Sequence, residues 1–192
     1  MISDDRIKYW NTRYSNEGNS GAGSDGLERN FKIEQLRKLD NVDSILDVGC
    51  GDFRTGELVV KIFPFASYLG LDISENIIDK CKKKAEELNL RKRYNFQTIN
   101  NYDFKDTAEL VLCLDVLFHQ LDDDQYKNLI DKLKSSYTKY LVLTEYSHYQ
   151  AGKDNGKDIK HRLFYPEDIS DEWISYKIKE GTGNKILYIF KK

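Results

Sequence analysis

Ser44-Ile45-Leu46-Asp47-Val48-Gly49-Cys50-Gly51-Asp52 decides how this chain folds. Ile45, Leu46 and Val48 give the stretch the apolar, partly β-branched character of a buried strand. Gly49 and Gly51 then let the backbone turn sharply and approach a ligand with no Cβ in the way. Thr55-Gly56-Glu57-Leu58-Val59-Val60 reads as the helix that follows. A strand, a glycine turn and a helix N-terminus together suit a nucleotide-like ligand. A second acid, Asp72, closes the next apolar run, Tyr68-Leu69-Gly70-Leu71-Asp72-Ile73. In a parallel sheet that acid sits at the carboxyl end of the neighbouring strand, where it can accept hydrogen bonds from ribose hydroxyls.

Working outward, Ser3 is placed to cap a helix through Ile7, Tyr9, Trp10, Arg13 and Tyr14, with Asp4 and Asp5 in its first turn. Asn16 to Gly26 is the most glycine-dense segment, a flexible linker by composition. A helix is expected from about Leu27 to Leu39. After the first strand, a helix to about Ile62 stops near Pro64. Strand two is Tyr68 to Ile73, and Ser74 caps a helix from Glu75 to Leu88. Tyr94 to Ile99, Leu110 to Leu114 and Tyr140 to Thr144 read as the next three strands, with a helix after Asp122-Asp123-Asp124. The period changes at the end: Trp173 to Ile178 and Lys185 to Phe190 flank Gly181-Thr182-Gly183-Asn184 as a hairpin. The expectation is an α/β fold with a doubly wound, mostly parallel sheet ending in a β-hairpin. It forms a single domain over residues 1–192, with N-terminal helices and glycine-rich segment over 1–40 and the core over 41–192.

A chain of 192 residues can bury a sizeable core in one domain. Its 40% hydrophobic and 32% charged content, with net charge −2, suits a soluble globule without the electrostatic footprint of a nucleic-acid binder. Lys82-Lys83-Lys84 and Arg91-Lys92-Arg93 read as a solvated helix face and its exit. The acidic start lacks the apolar core of a signal peptide, and no run is long enough to span a bilayer. Cys50, Cys81 and Cys113 have no Cys-x-x-Cys spacing and read as free thiols of a reducing cytoplasm.

Arg54 stands three residues after Gly51, where a dinucleotide fingerprint has its third glycine. A ligand without phosphates therefore fits the turn better. Ile45-Leu46-Asp47-Val48-Gly49-Cys50-Gly51 followed by Leu69-Gly70-Leu71-Asp72-Ile73-Ser74 resembles the first two motifs of class I S-adenosylmethionine (SAM)-dependent methyltransferases. Tyr9-Trp10-Asn11-Thr12-Arg13-Tyr14, Asn19 to Ser24, Phe31-Lys32 and a late His161-Arg162 are similar to a bacterial subfamily associated with surface-polysaccharide or sugar biosynthesis. That resemblance runs to Tyr165 and implies that the glycine-rich segment is a lid.

The resemblance implies SAM as cofactor, with S-adenosyl-L-homocysteine as product. Asp47, Gly49, Cys50 and Gly51 would hold its methionine end, Asp72 the ribose, and Ile73 would pack on the adenine. Asn101, Tyr102 and Asp103 fall where the family contacts the adenine amine, and spacing leaves all three open. Tyr14 and Ser24 are lid contacts, although Tyr9, Trp10 and Tyr14 also suit plain packing. Asp115, after strand four, matches the post-strand motif where substrate meets the methyl group. His119 is a candidate general base or a structural residue, and His161 is its rival. Arg162 suits a phosphate or carboxylate, with Tyr165 beside it on the substrate side. Asp122 to Asp124 reads as a helix cap rather than a metal cluster, so no metal is expected, and His148 reads as loop surface in front of a polar loop, Lys153 to Lys160.

With only Pro64 and Pro166, the chain lacks the Pro-Pro-Tyr and Pro-Cys motifs of enzymes that methylate nucleic-acid bases. The expected partner is a small polar acceptor, a sugar or phosphorylated intermediate methylated on oxygen, with no nucleic acid or membrane, the protein being a monomer or homodimer. A small nicotinamide oxidoreductase built on the same core, and a non-catalytic SAM-binding regulator, are the alternatives.

Overall fold

The structure is a computed structural model that describes residues 4–16, 18–89, 93–147, 158–178 and 184–192. It falls into two compact units, Met1–Asp103 and Phe104–Lys192. The Ser3 cap, His148, most of the Lys153 to Lys160 loop, Arg91-Lys92 and the hairpin turn at Gly181 to Gly183 lie outside the described residues.

In the first unit, α1 (Asp4–Ser15) has Asp4 and Asp5 in its first turn and Arg13 in its last, matching the helix dipole at both ends. A short 3-10 turn, Ala22–Ser24, leads to α2 (Gly26–Leu36). Asp25 starts α2 by accepting from the Gly26 N–H at 2.8 Å. This helix ends at Leu36, short of the expected Leu39, because the Arg37 and Lys38 N–H groups close a final turn on Ile33 and Gln35 carbonyls. Three parallel strands follow: β1 (Ser44–Val48), β2 (Ser67–Asp72) and β3 (Tyr94–Thr98), in the order β3-β2-β1. Between them run α3 (Arg54–Ile62) and α4 (Glu75–Glu87), the latter capped by Ser74, which accepts from the Ile77 N–H at 3.4 Å. Pairing sets Asp47 beside Gly70, and Asp72 beside Thr98.

An aromatic cluster fixes the first unit's core. Phe53 lies 5.1 Å from Tyr68 and 5.0 Å from Phe96, centroid to centroid, in edge-to-face contacts. Phe53 begins α3 with a left-handed φ of 63° and no side-chain cap, a strained start held by the burial of its ring.

In the second unit, β4 (Ala108–Cys113) and β5 (Tyr137–Tyr146) are parallel, joined by α5 (Asp123–Ser136). Asp122 caps α5, accepting from the Gln125 N–H at 2.8 Å. β7 (Lys185–Lys191) runs antiparallel to β5, and β6 (Trp173–Lys177) antiparallel to β7, so the order is β4-β5-β7-β6. β5 extends further at both ends than its apolar run suggests, because its partners continue to pair with it from Tyr137 to Tyr146. β4 stops at Cys113, which leaves Asp115 in a left-handed residue (φ 60°) beyond the strand rather than at its end.

The chain is thus a mixed α/β fold of mostly parallel strands with an antiparallel C-terminal hairpin, as the sequence predicts. Cys50, Cys81 and Cys113 are buried free thiols. Among the described residues no helix is long and apolar enough to cross a membrane.

The tightest packing constraint is Gly56, on the inner face of α3. A Cβ there would stand 2.5 Å from both the Phe53 ring and Tyr68 Oη. Gly56→Ala should therefore lower stability by about 1–3 kcal/mol through overpacking, despite the better helix propensity of alanine. Urea denaturation followed by far-UV circular dichroism checks this.

Candidate active site

In the first unit the glycine turn is bound back onto β2. The N–H groups of Gly49 and Cys50 both donate to the Leu71 carbonyl, at 2.7 and 2.9 Å. The Gly51 N–H donates to Asp72 Oδ2 at 3.0 Å, and the Ser74 N–H donates to Asp72 Oδ1 at 3.0 Å. Positive φ at Gly49 (82°) and Gly51 (52°) makes this turn possible. With these three N–H groups turned inward, the turn presents no nest of donors, and the Cα face of Gly51 is covered by Ser20 and Tyr14. Such a turn suits a ligand without phosphates, and it offers a pyrophosphate little.

Two buried acids flank the turn. Asp47 accepts from Tyr68 Oη at 2.6 Å. Burial pushes its carboxyl up to about 6, against the Tyr68 hydrogen bond and with help from the Asp72 charge. Asp72 is also pushed up to about 6 by burial, with the Ser74, Gly51 and Ile73 N–H groups opposing and Asp52 adding to the rise. Cys50 lies beside the Cys81 thiol, and that contact, then burial, raises its titration. Cys81 Sγ donates to the Gly51 carbonyl at 3.2 Å.

The N-terminal segment reaches this turn through Ser20. Ser20 Oγ accepts from the Asp52 N–H at 2.9 Å and lies 3.3 Å from Tyr14 Oη. A Cβ on Gly51 would collide with Ser20 Oγ and approach Tyr14 Oη to 3.3 Å. Tyr14 is buried and stacks on Trp10 at 5.8 Å, so it packs as well as reaching the turn. Burial, then the Asp72 charge, pushes its phenol up. Ser24 ends the 3-10 turn ahead of α2, so the segment's hydroxyl at the glycine turn is that of Ser20. α1 is anchored to α4: Ser74 Oγ donates to Asn11 Oδ1 at 2.6 Å and Lys80 Nζ to the Tyr14 carbonyl at 2.6 Å. Ile73 follows β2 directly and is half-buried, while Asn101 and Asp103 are exposed and Tyr102 half-buried after β3.

In the second unit, Asp115 is committed. Its Oδ1 accepts from Lys185 Nζ at 2.9 Å and from Thr144 Oγ1 at 3.1 Å, while its own N–H donates to Thr144 Oγ1 at 2.6 Å. A buried ammonium thus holds this carboxylate in place. His119 ends a 3-10 turn, Leu117–His119, and its Nδ1 lies 2.6 Å from the Asp158 carbonyl. A carbonyl only accepts, so Nδ1 carries the proton and Nε2 is the basic nitrogen. His161 packs on Tyr146 at 4.3 Å, Tyr146 on Phe118 at 4.7 Å, and Phe118 on His119 at 4.7 Å. The two histidines are thus brought into one aromatic cluster. Arg162 Nε donates to Asp123 Oδ1 at 2.8 Å, as does Lys160 Nζ at 2.8 Å, which docks this segment on the start of α5. Tyr165 is largely exposed.

Sequence reasoning passes over Ser20, Lys185, Tyr126 and Glu145. Glu145 had a signal: a carboxylate closing an apolar strand, Leu141-Val142-Leu143-Thr144, is rarely buried without a reason. It is fully buried here, and burial pushes its carboxyl up to about 8.

Three comparisons place the chain among known proteins. Residues 45–138 match a family described as a methyltransferase domain. An uncharacterized protein of Methanocaldococcus jannaschii is 27% identical over 172 residues, 80% of this chain and 46% of that protein. The chain therefore spans about half the length of that curated relative. The N-methyltransferase NodS of Bradyrhizobium japonicum, solved with S-adenosyl-L-homocysteine, shares the fold at TM-score 0.69 and 15% identity, with 98% of each chain covered. Magnesium protoporphyrin IX methyltransferase of Synechocystis, solved with SAM, does so at TM-score 0.68 and 18% identity, covering 99% of this chain and 98% of that one.

Glu145 sets a pH dependence. Its folded-state titration lies above its ordinary value, so its contribution is present below about 4.5 and is lost as pH rises through about 8. The groups felt around it are Arg162, Tyr126, Asp115 and Tyr188. Glu145→Gln should flatten the decline in stability between pH 5 and pH 8, a gain on the order of a few kcal/mol at the alkaline end. Urea titrations of both proteins across that range measure it.

Proposed function

We propose that this chain, whose residues 45–138 match a methyltransferase domain and whose fold is shared with solved methyltransferases, transfers a methyl group from SAM to oxygen of a small polar acceptor. We read its two units as one domain acting in the cytoplasm. The observation that carries the cofactor reading is the glycine turn, whose N–H groups at Gly49, Cys50 and Gly51 are bonded inward beside buried Asp72. A dinucleotide's pyrophosphate would lack donors there. SAM fits the same surface with its ribose on Asp72, its methionine end along Asp47, Gly49, Cys50 and Gly51, and its adenine by Ile73 and one of Asn101, Tyr102 and Asp103.

SAM bound there supplies an electrophilic methyl on a sulfonium. The chain's own residues then align an acceptor hydroxyl in line, exclude water and take the hydroxyl proton. Tyr14, with the segment through Ser24, covers the cofactor and keeps water out. His119 is the proton acceptor we favour: its Nδ1–H is tied to the Asp158 carbonyl, which leaves Nε2 as the base. His161 is the alternative in the same aromatic cluster. Asp115, neutralised by Lys185, positions rather than accepts. Arg162 and Tyr165 contact the acceptor, which the resemblance of the N-terminal and His161-Arg162 stretches assigns to sugars or sugar-linked metabolites of surface glycan synthesis.

Calorimetric titration with S-adenosyl-L-homocysteine should give micromolar binding, weakened at least tenfold by Asp72→Ala. Lowering the pH from 7 to 5 should weaken it too, because both flanking acids take up protons near 6. No binding at millimolar ligand would remove the proposal. Turnover on a panel of nucleotide sugars should fall at least a hundredfold in His119→Ala with cofactor affinity unchanged. An unaltered rate moves the role to His161, and a panel giving no methylated product favours a non-catalytic SAM-binding protein.

A further inference from the structure

Arg162, Tyr126 and Glu145 come from three different elements of the second unit: the segment after residue 157, α5 and β5. Arg162 spends only Nε on Asp123. Its Nη1 and Nη2 are buried and have no hydrogen-bond partner. Tyr126 Oη and Glu145 Oε2 have no partner of good geometry either, although each lies near enough to the other to act on its titration, and Glu145 Oε1 accepts from the Tyr146 N–H at 2.8 Å. The guanidinium lies 4.4 Å over the Tyr126 ring. The charges of Arg162 and Glu145 are both felt at Tyr126, and that of Arg162 at Glu145, so the three side chains share one neighbourhood. Even so, Arg162 and Glu145 make neither a hydrogen bond nor an ion pair with each other. Glu145 is fully buried. Burying a guanidinium edge with no partner, beside a phenol and a carboxyl oxygen that are poorly matched to each other, is unfavourable enough that such a cluster calls for a partner.

We propose that Arg162, Tyr126 and Glu145 form a binding site for the carboxylate of a small hydroxylated ligand. Calling that ligand the methyl acceptor rests on the methyltransferase reading; the site itself rests on the side chains. The paired Nη1 and Nη2 donors of a guanidinium match the two oxygens of a carboxylate in plane. The Tyr126 ring covers one face of that plane, so the partner enters edge-on. A single guanidinium already shared with Asp123 balances one further negative charge better than two, which favours a carboxylate over a phosphate dianion. Tyr126 Oη and Glu145 Oε2 then serve the ligand's hydroxyl groups.

The test is calorimetry of the full chain with D-glucuronate, D-gluconate and D-glycerate, against glucose, glycerol and glucose 1-phosphate, each with and without S-adenosyl-L-homocysteine. At least one carboxylate should bind tenfold or more tighter than its neutral counterpart. Arg162→Lys should weaken that binding at least tenfold, and Tyr126→Phe at least threefold, with cofactor affinity unchanged in both. If Arg162→Lys does not fold, Tyr126→Phe, which removes one oxygen, decides. Carboxylates no tighter than their neutral counterparts, or binding unmoved by Tyr126→Phe, would overturn the site. Tighter binding of glucose 1-phosphate than of any carboxylate would overturn the carboxylate assignment. Carboxylate binding without any binding of S-adenosyl-L-homocysteine sinks the methyltransferase reading and leaves the site standing.

Discussion

A single buried carboxylate, that of Asp72, holds the glycine turn of the first unit in place. Its two oxygens take the N–H of Gly51 on one side and of Ser74 on the other, so the end of β2, the glycine turn and the start of α4 become one piece. Removing an ionised carboxylate from water is unfavourable, and the backbone N–H groups of Ser74, Gly51 and Ile73 offset only part of that, so its titration still sits near 6. The Leu71 carbonyl, one residue earlier, accepts the other two N–H groups of the turn. The outcome is a turn whose N–H groups face inward and whose Gly51 carbon is covered by Ser20 and Tyr14.

The second unit distributes charge differently. Asp115 and Lys185 cancel each other in a buried pair steadied by Thr144, which keeps a left-handed residue in place at the mouth of β4. Arg162 is only partly compensated, through Nε, while its other nitrogens are buried without a partner over the Tyr126 ring. The same unit holds the cluster of His119, Phe118, Tyr146 and His161. Aromatic walls of this kind lower the local dielectric, so small differences in hydrogen bonding decide which imidazole nitrogen is basic.

Helix α1 is more than a flanking element. Asn11 accepts from the residue that caps α4, Lys80 holds the last turn of α1 by its carbonyl, and Ser20 sits where a Cβ on Gly51 would stand. The segment before residue 26 is thereby part of the surface that a ligand at the glycine turn would meet.

The local code wrote the elements in order. Periodicity placed the strands, Ser74 and Asp122 announced their helices, Pro64 marked a stop, and the pair of glycines fixed where the backbone had to bend. These features depend on neighbours within a few residues, which is why they can be read in one dimension. Ser20 at the turn, Lys185 against Asp115, and the meeting of Tyr126, Glu145 and Arg162 could not be read that way. Each joins residues separated along the chain, up to 70 positions apart for Asp115 and Lys185. Sequence named the residue types able to carry chemistry, but strand pairing and loop docking chose which charges are cancelled and which are buried without a partner, because burial and partner distance exist only once the chain has folded.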